Sequence, residues 1–174
     1  MSKLADGDCL LQAVDSSSHV MMTLPGHTMR YALADALVGL ELKADVRTSF
    51  AAVPPLRHGT IAEADIRPPA GKRLSRDELR TWEKSLAGLR GAIFMSALGE
   101  CVVRTDPAAS HALLMTEVES ADERTWFKTL SPALAGCTKA GETIALNPTV
   151  VRGTIAMNYY RLAKAAVPAG QGLR

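Results

Sequence analysis

Aromatic residues are scarce in this sequence: three Phe, three Tyr and two Trp make up 5% of its 174 residues. Long β-branched runs are missing as well, while the strong helix formers Ala and Leu are abundant. Together these features argue for helices over sheets. Charge of one sign is also missing. Twenty basic residues stand against eighteen acidic ones, a net of +2, too balanced for the broad field that nucleic acid or an anionic membrane surface attracts. The catalytic motifs are absent too. The Gly136 to Gly141 stretch lacks the Gly-Lys-Ser/Thr ending of a phosphate cradle, and Ser16, Ser17 and Ser18 form no hydrolase elbow. No two Cys or His residues stand at the tight spacing of a zinc site, and His27 and His58 are isolated. No metal, cofactor or catalytic residue is therefore expected.

Membrane signals are weak. Lys3 opens the chain, but Asp6 and Asp8 interrupt any apolar run behind it, so no signal peptide is expected in the sequence as given. The most apolar window, Leu86 to Val103, contains Arg90 and Glu100, which a lipid-facing helix seldom accepts. The expectation is a soluble protein without a membrane span. The compartment stays open between the cytoplasm and the periplasm, the latter as a mature exported form. A chain of this length buries roughly 70% of its unfolded surface and needs neither metal nor disulfide merely to fold.

What is present is an internal repeat. Gly7-Asp8-Cys9-Leu10-Leu11-Gln12 returns as Gly99-Glu100-Cys101-Val102-Val103-Arg104. Ser18-His19 and Ser110-His111 follow the two cysteines at the same spacing. Leu33 to Gly39 matches Leu130 to Gly136, and Ala51 to Ala62 matches Ala145 to Ala156 with identical residues at half of the aligned positions. The order is kept and only small loop insertions are needed. The expected fold is all-α, two tandem diverged copies of a four-helix unit packed together as a helical repeat or bundle. The units are 1–66 and 90–166, joined by a linker and connecting helix at 67–89 and followed by a flexible tail at 167–174.

The second copy is better punctuated. Ser75-Arg76-Asp77-Glu78 is a capping box, followed by Leu79, Trp82, Leu86 and Leu89 on one helical face. That helix is expected to reach Val103 with a bend or break near Gly88 or Gly91. Asp106-Pro107 starts a short helix ending near Thr116. Ser120-Ala121-Asp122-Glu123 opens another that ends near Gly136, with a kink or early break at Pro132. Asn147-Pro148 caps a last helix to about Ala165. The first copy repeats the plan with helices near 3–13, 16–23, 28–41 and 54–65, and Pro68, Pro69 and Gly71 mark the linker.

The order Gly-acidic-Cys-apolar-apolar, Asp106-Pro107-Ala108-Ala109, Cys137 after Ala-Leu, and Arg152-Gly153 with Ile155-Ala156 following resembles uncharacterised helical proteins of alphaproteobacteria. The resemblance is clearest over about 90–161. It implies a helical fold and no assigned activity, and it implies that such proteins are often exported.

Four groups of residues carry chemistry. Cys101 and Cys137 lie on elements that can be neighbours, whereas the first-copy equivalent of Cys137 is Leu40. In an oxidising compartment a Cys101–Cys137 disulfide adds roughly 3–4 kcal/mol in the chain-entropy model; otherwise the three cysteines are small buried hydrophobes. The Cys-His pairs carry no recurring acidic partner and read as structural contacts rather than activated nucleophiles. The basic stretch Arg67, Lys72, Arg73, Arg76, Arg80, Lys84 and Arg90 is interleaved with acids and reads as a solvated face. In Arg152-Gly153, Arg90-Gly91 and His58-Gly59 the glycine is expected to let helices approach closely.

Duplication without a catalytic constellation points to a non-enzymatic helical interaction or structural module that binds a protein partner or itself. Arg73, Arg76, Arg80 and Arg152 are the candidate contacts. The alternative is a small-ligand binder or enzyme with a pocket between the two units, using Cys101, His111 or Arg152. A second alternative is nucleic-acid contact through 67–90.

Overall fold

The computed structural model describes residues 26–62, 66, 74–138 and 147–166. The described residues form five helices and no strand: α1 (Gly26–Glu41), α2 (Arg76–Thr105), α3 (Pro107–Leu114), α4 (Ala121–Gly136) and α5 (Pro148–Ala165). The expected helices at 3–13 and 16–23 lie outside the described residues, as do the tail and the 139–146 loop.

Local chemistry explains the helix starts. The Ser75 hydroxyl accepts from the Glu78 amide while the Glu78 carboxylate accepts from the Ser75 amide, a complete capping box. Asp106 accepts from the Ala109 amide ahead of Pro107. Ser120 accepts from the Glu123 amide, and Asn147 accepts from Thr149 and Val150 ahead of Pro148. Each cap satisfies amides that the first turn leaves open.

Two expected helix breaks are absent, and one expected helix is not formed over its described residues. α2 runs without a break through Gly88 and Gly91, where an added Cβ would meet nothing within 4 Å; strong helix formers on both sides carry the cost of about 1 kcal/mol per glycine. α4 continues through Pro132, which is exposed, so water can take up the Lys128 carbonyl that the proline cannot bond. Residues 54–62 of the expected helix 54–65 are irregular. The residue ahead of Pro54 contributes to this last result: Val53 has no oxygen to cap a first turn, whereas Asn147 ahead of Pro148 does.

α5 is the central element. It packs most extensively on α1 and α2 and also touches α3, and it buries Val151, Ile155, Ala156, Tyr159, Leu162 and Ala163. Two glycines set these crossings. A Cβ on Gly99 of α2 would lie 2.4 Å from Thr154 Cγ2 and 2.8 Å from the Thr154 carbonyl oxygen. One on Gly153 would lie 2.3 Å from Tyr31 Cβ of α1. The core cluster joins Ala34, Val38, Leu42, Phe50 and Val53 with Leu98, Val102, Leu113, Leu130 and Ile155. Residues from both sequence units thus share one core. Its centre is Tyr159, packed edge-on to Phe50 at 5.5 Å, its hydroxyl donating to the Asp45 carbonyl and accepting from the Arg47 amide.

Candidate functional site

Arg152 lies one turn into α5 and is 4% exposed. Its Nε donates to Asp35 on α1 at 3.1 Å. Nη1 donates to Glu123 at 3.0 Å, to the Leu113 carbonyl and to Thr116 Oγ1. Nη2 donates to the carbonyls of Leu114 and Thr116. The guanidinium thereby closes the C-terminal end of α3, whose last carbonyls have no partner within the helix, and ties it to α1 and α4. The other oxygen of Glu123 accepts from the amide of Glu119 at 2.7 Å, holding that residue at φ 64°. A hollow of about 290 Å³ lies beside this knot, between α1, α5 and Val118. Arg152 forms part of its wall but is saturated by two carboxylates and three carbonyls. It faces inward and gives a partner no surface to contact.

A second cluster fastens segment 54–62 to α2. Ser96, Glu100 and Arg104 stand one turn apart on one face of that helix. His58 Nδ1 lies 2.8 Å from Ser96 Oγ and His58 Nε2 lies 2.6 Å from Glu100 Oε2. Glu100 Oε1 accepts from the Leu56 amide at 2.9 Å and from Arg104 Nε at 2.7 Å. Arg104 also donates to the carbonyls of Phe50 and Pro54. Burial alone pushes the Glu100 carboxyl up, but the Leu56 amide, Arg104 and His58 outweigh it and hold it below the ordinary carboxylate range.

The order Ser96, His58, Glu100 has the form of a nucleophile, base and orienting acid. With the proton on Nε2 facing Glu100, Nδ1 is free to accept from the Ser96 hydroxyl. Ser96 sits in mid-helix, however, where the surrounding amides are bonded along α2 and give no oxyanion donors. The cluster's evident work is to satisfy the backbone of a segment that has no helix of its own.

The cysteine readings resolve separately. Cys101 and Cys137 are joined, with Cα atoms 5.8 Å apart, which links α2 to the end of α4. Cys101 also borders a shallow depression with Glu100 and Arg104. His111 is buried, its Nε2 donating to the Leu42 carbonyl at 2.9 Å and its ring tilted against Tyr159. Cys101 and His111 therefore serve different contacts. Arg76 and Arg80 are exposed, Arg80 lying 3.9 Å from Asp77; Arg73 lies outside the described residues. No group of three or more His, Cys, Asp or Glu able to hold a metal occurs among the described residues.

A cleft of about 310 Å³ opens between α1, segment 54–62, α2 and α5. Arg30, Arg57, Arg161 and Ser96 supply polar lining, and Leu89, Ile93 and Met157 supply apolar lining. Among the described residues no acidic side chain lines it. Sequence reading missed this site, because Arg57 and Arg161 are far apart in the chain and neither belongs to a motif. It also missed the partners of His58, which lie 38 and 42 residues away. The Ser96, Glu100 and Arg104 spacing on the otherwise apolar second half of α2 was the available signal.

By length and composition α2 is apolar enough to cross a membrane. In the fold, its Leu98, Val102 and Val103 belong to the core. No protein-family model, curated protein or solved structure matches the chain.

Proposed function

We propose that this chain is a non-enzymatic helical interaction module that engages a partner helix, from a second copy or another protein, through the first half of α2. One observation carries this reading. Leu79, Trp82, Leu86, Leu89 and Ile93 follow one another at alternating steps of three and four residues, the spacing of a coiled-coil seam. None of the five belongs to the main core cluster; Leu79 and Leu89 are 38% and 41% exposed, Trp82 and Ile93 are half-buried, and Leu86 alone is buried. Arg76, Arg80, Lys84 and Arg90 alternate with Asp77, Glu78 and Glu83 on the exposed remainder of the same half helix, a mixed-charge flank that suits a partner helix of mixed charge. The test is a photo-crosslinking residue at position 79, combined with light scattering across concentration. The expected result is a defined adduct, with a second copy or with one partner, that disappears in Leu89→Glu. A protein that stays monomeric and forms no Leu89→Glu-sensitive adduct in its host cells would sink the proposal.

The Ser96–His58–Glu100 order favours a second reading, an enzyme with Ser96 as nucleophile. A fluorophosphonate probe labelling Ser96 in wild type, and not in His58→Ala, would support it. Absence of labelling ends it.

A further inference from the structure

The two hollows on the α1–α5 seam differ in charge. Beside Arg152, the cation is answered by Asp35 and Glu123, so an arriving anion would meet no uncompensated positive charge. In the 310 Å³ cleft the charged lining among the described residues is of one sign, and Arg57 and Arg161 are the cations that bear on a ligand. Arg57 makes no side-chain ion pair or hydrogen bond among the described residues; only its backbone carbonyl is used, accepting from Arg161 Nη2 at 2.7 Å. That bond fixes Arg161 at the cleft wall and leaves its Nε and Nη1 without a partner among the described residues.

We propose that this cleft is a binding site for a small organic anion with a short apolar tail. A phosphate or carboxylate head is held by Arg57 and Arg161, and the tail lies along Leu89, Ile93 and Met157. Guanidinium groups match such heads through paired, charge-assisted hydrogen bonds. The volume is at the small end of the roughly 300–1,000 Å³ typical of ligand sites, which suits a single head and a short chain. The Ser96 hydroxyl also lines the cleft, but its one proton is directed to His58 Nδ1, so the two guanidinium groups supply the donors to the head. The same head chemistry occurs on free metabolites and on acidic lipids.

The experiment is calorimetric titration of the full chain with hexyl phosphate, with hexylammonium as the charge control and inorganic phosphate as the tail control. Arg57→Ala removes an exposed side chain that makes no bond among the described residues, and its urea midpoint, expected at the wild-type value, checks that the fold is kept. Ala92→Trp fills the cleft from an exposed position on α2. The expected result is one-to-one binding of hexyl phosphate, weaker binding of inorganic phosphate and none of hexylammonium. Arg57→Ala should weaken hexyl phosphate by about tenfold or more, equivalent to about 1.4 kcal/mol, and Ala92→Trp should remove binding. Co-sedimentation with phosphatidic-acid vesicles separates the sources: Arg57-dependent sedimentation assigns a lipid head group, and binding of hexyl phosphate alone assigns a free ligand. Absence of hexyl phosphate binding overturns the proposal. So does binding that both variants leave unchanged, or equal binding of hexylammonium.

Discussion

At Gly99 a single methyl group would meet Thr154 Cγ2 at 2.4 Å, Asn158 Nδ2 at 2.6 Å and a backbone carbonyl at 2.8 Å. The carbonyl cannot rotate away, so α2 and α5 must separate. Gly99→Ala is expected to destabilise by about 1–3 kcal/mol despite the better helix propensity of alanine. Gly88→Ala, facing open space, should stabilise by about 0.5–1 kcal/mol; urea unfolding of the two variants gives the comparison. Glu100 supplies the pH dependence at this scale. Its carboxyl is held low in the folded chain. The stabilisation it provides is complete above the ordinary carboxylate range and is lost as pH falls through the folded value. The acid limb of a thermal-melt series should therefore flatten in Glu100→Gln, which also starts from a lower melting temperature at neutral pH.

Among the elements, α3 depends most on others. It has eight residues, too few to be stable alone. Asp106 caps its start, while Arg152 closes its end with bonds to the carbonyls of Leu113 and Leu114. Arg152→Ala would leave Glu123 buried and unpaired and these carbonyls open. The expected loss is about 3–5 kcal/mol, read as a lower urea midpoint. Arg152→Lys should recover only a fraction, because an ammonium cannot reproduce the planar fork that reaches both carboxylates and the carbonyls. The knot was only partly legible in sequence. Ser120 and Glu123 read as a capping box, and Ser120 does cap α4, yet the Glu123 carboxylate accepts from Glu119 rather than Ser120 and also binds Arg152. Propensity and spacing name the helix start but cannot show where a side chain is drawn by a buried cation.

For the whole molecule, the Cys101–Cys137 bond closes a loop of separation 36 across the α2–α4 face. Reduction, or Cys101→Ser with Cys137→Ser, should lower stability by about 3–4 kcal/mol. Thiol counting on denatured, never-reduced protein from its host should find one free thiol, at Cys9, and a mapped Cys101–Cys137 peptide. Such a result would place the working protein in an oxidising compartment. Three free thiols would make the two cysteines neighbours in a reducing one.

The sequence by itself determined the helical class and the starts of α2 to α5, because caps, proline at the first helical position and apolar spacing act over a few residues. It also brought Cys101 and Cys137 forward as a pair. The inward turn of Arg152 and the meeting of Arg57 and Arg161 in one cleft follow only from the closed fold, and the irregular course of 54–62 follows from the missing cap at Val53 together with the bonds its backbone finds on α2. In each case groups distant in the chain contribute the energy: Glu100 and Arg104 take the backbone of 54–62, and α3 presents its open carbonyls to Arg152. No local pattern records such partners, since the cost of leaving a buried polar group unsatisfied appears only when the chain closes on itself.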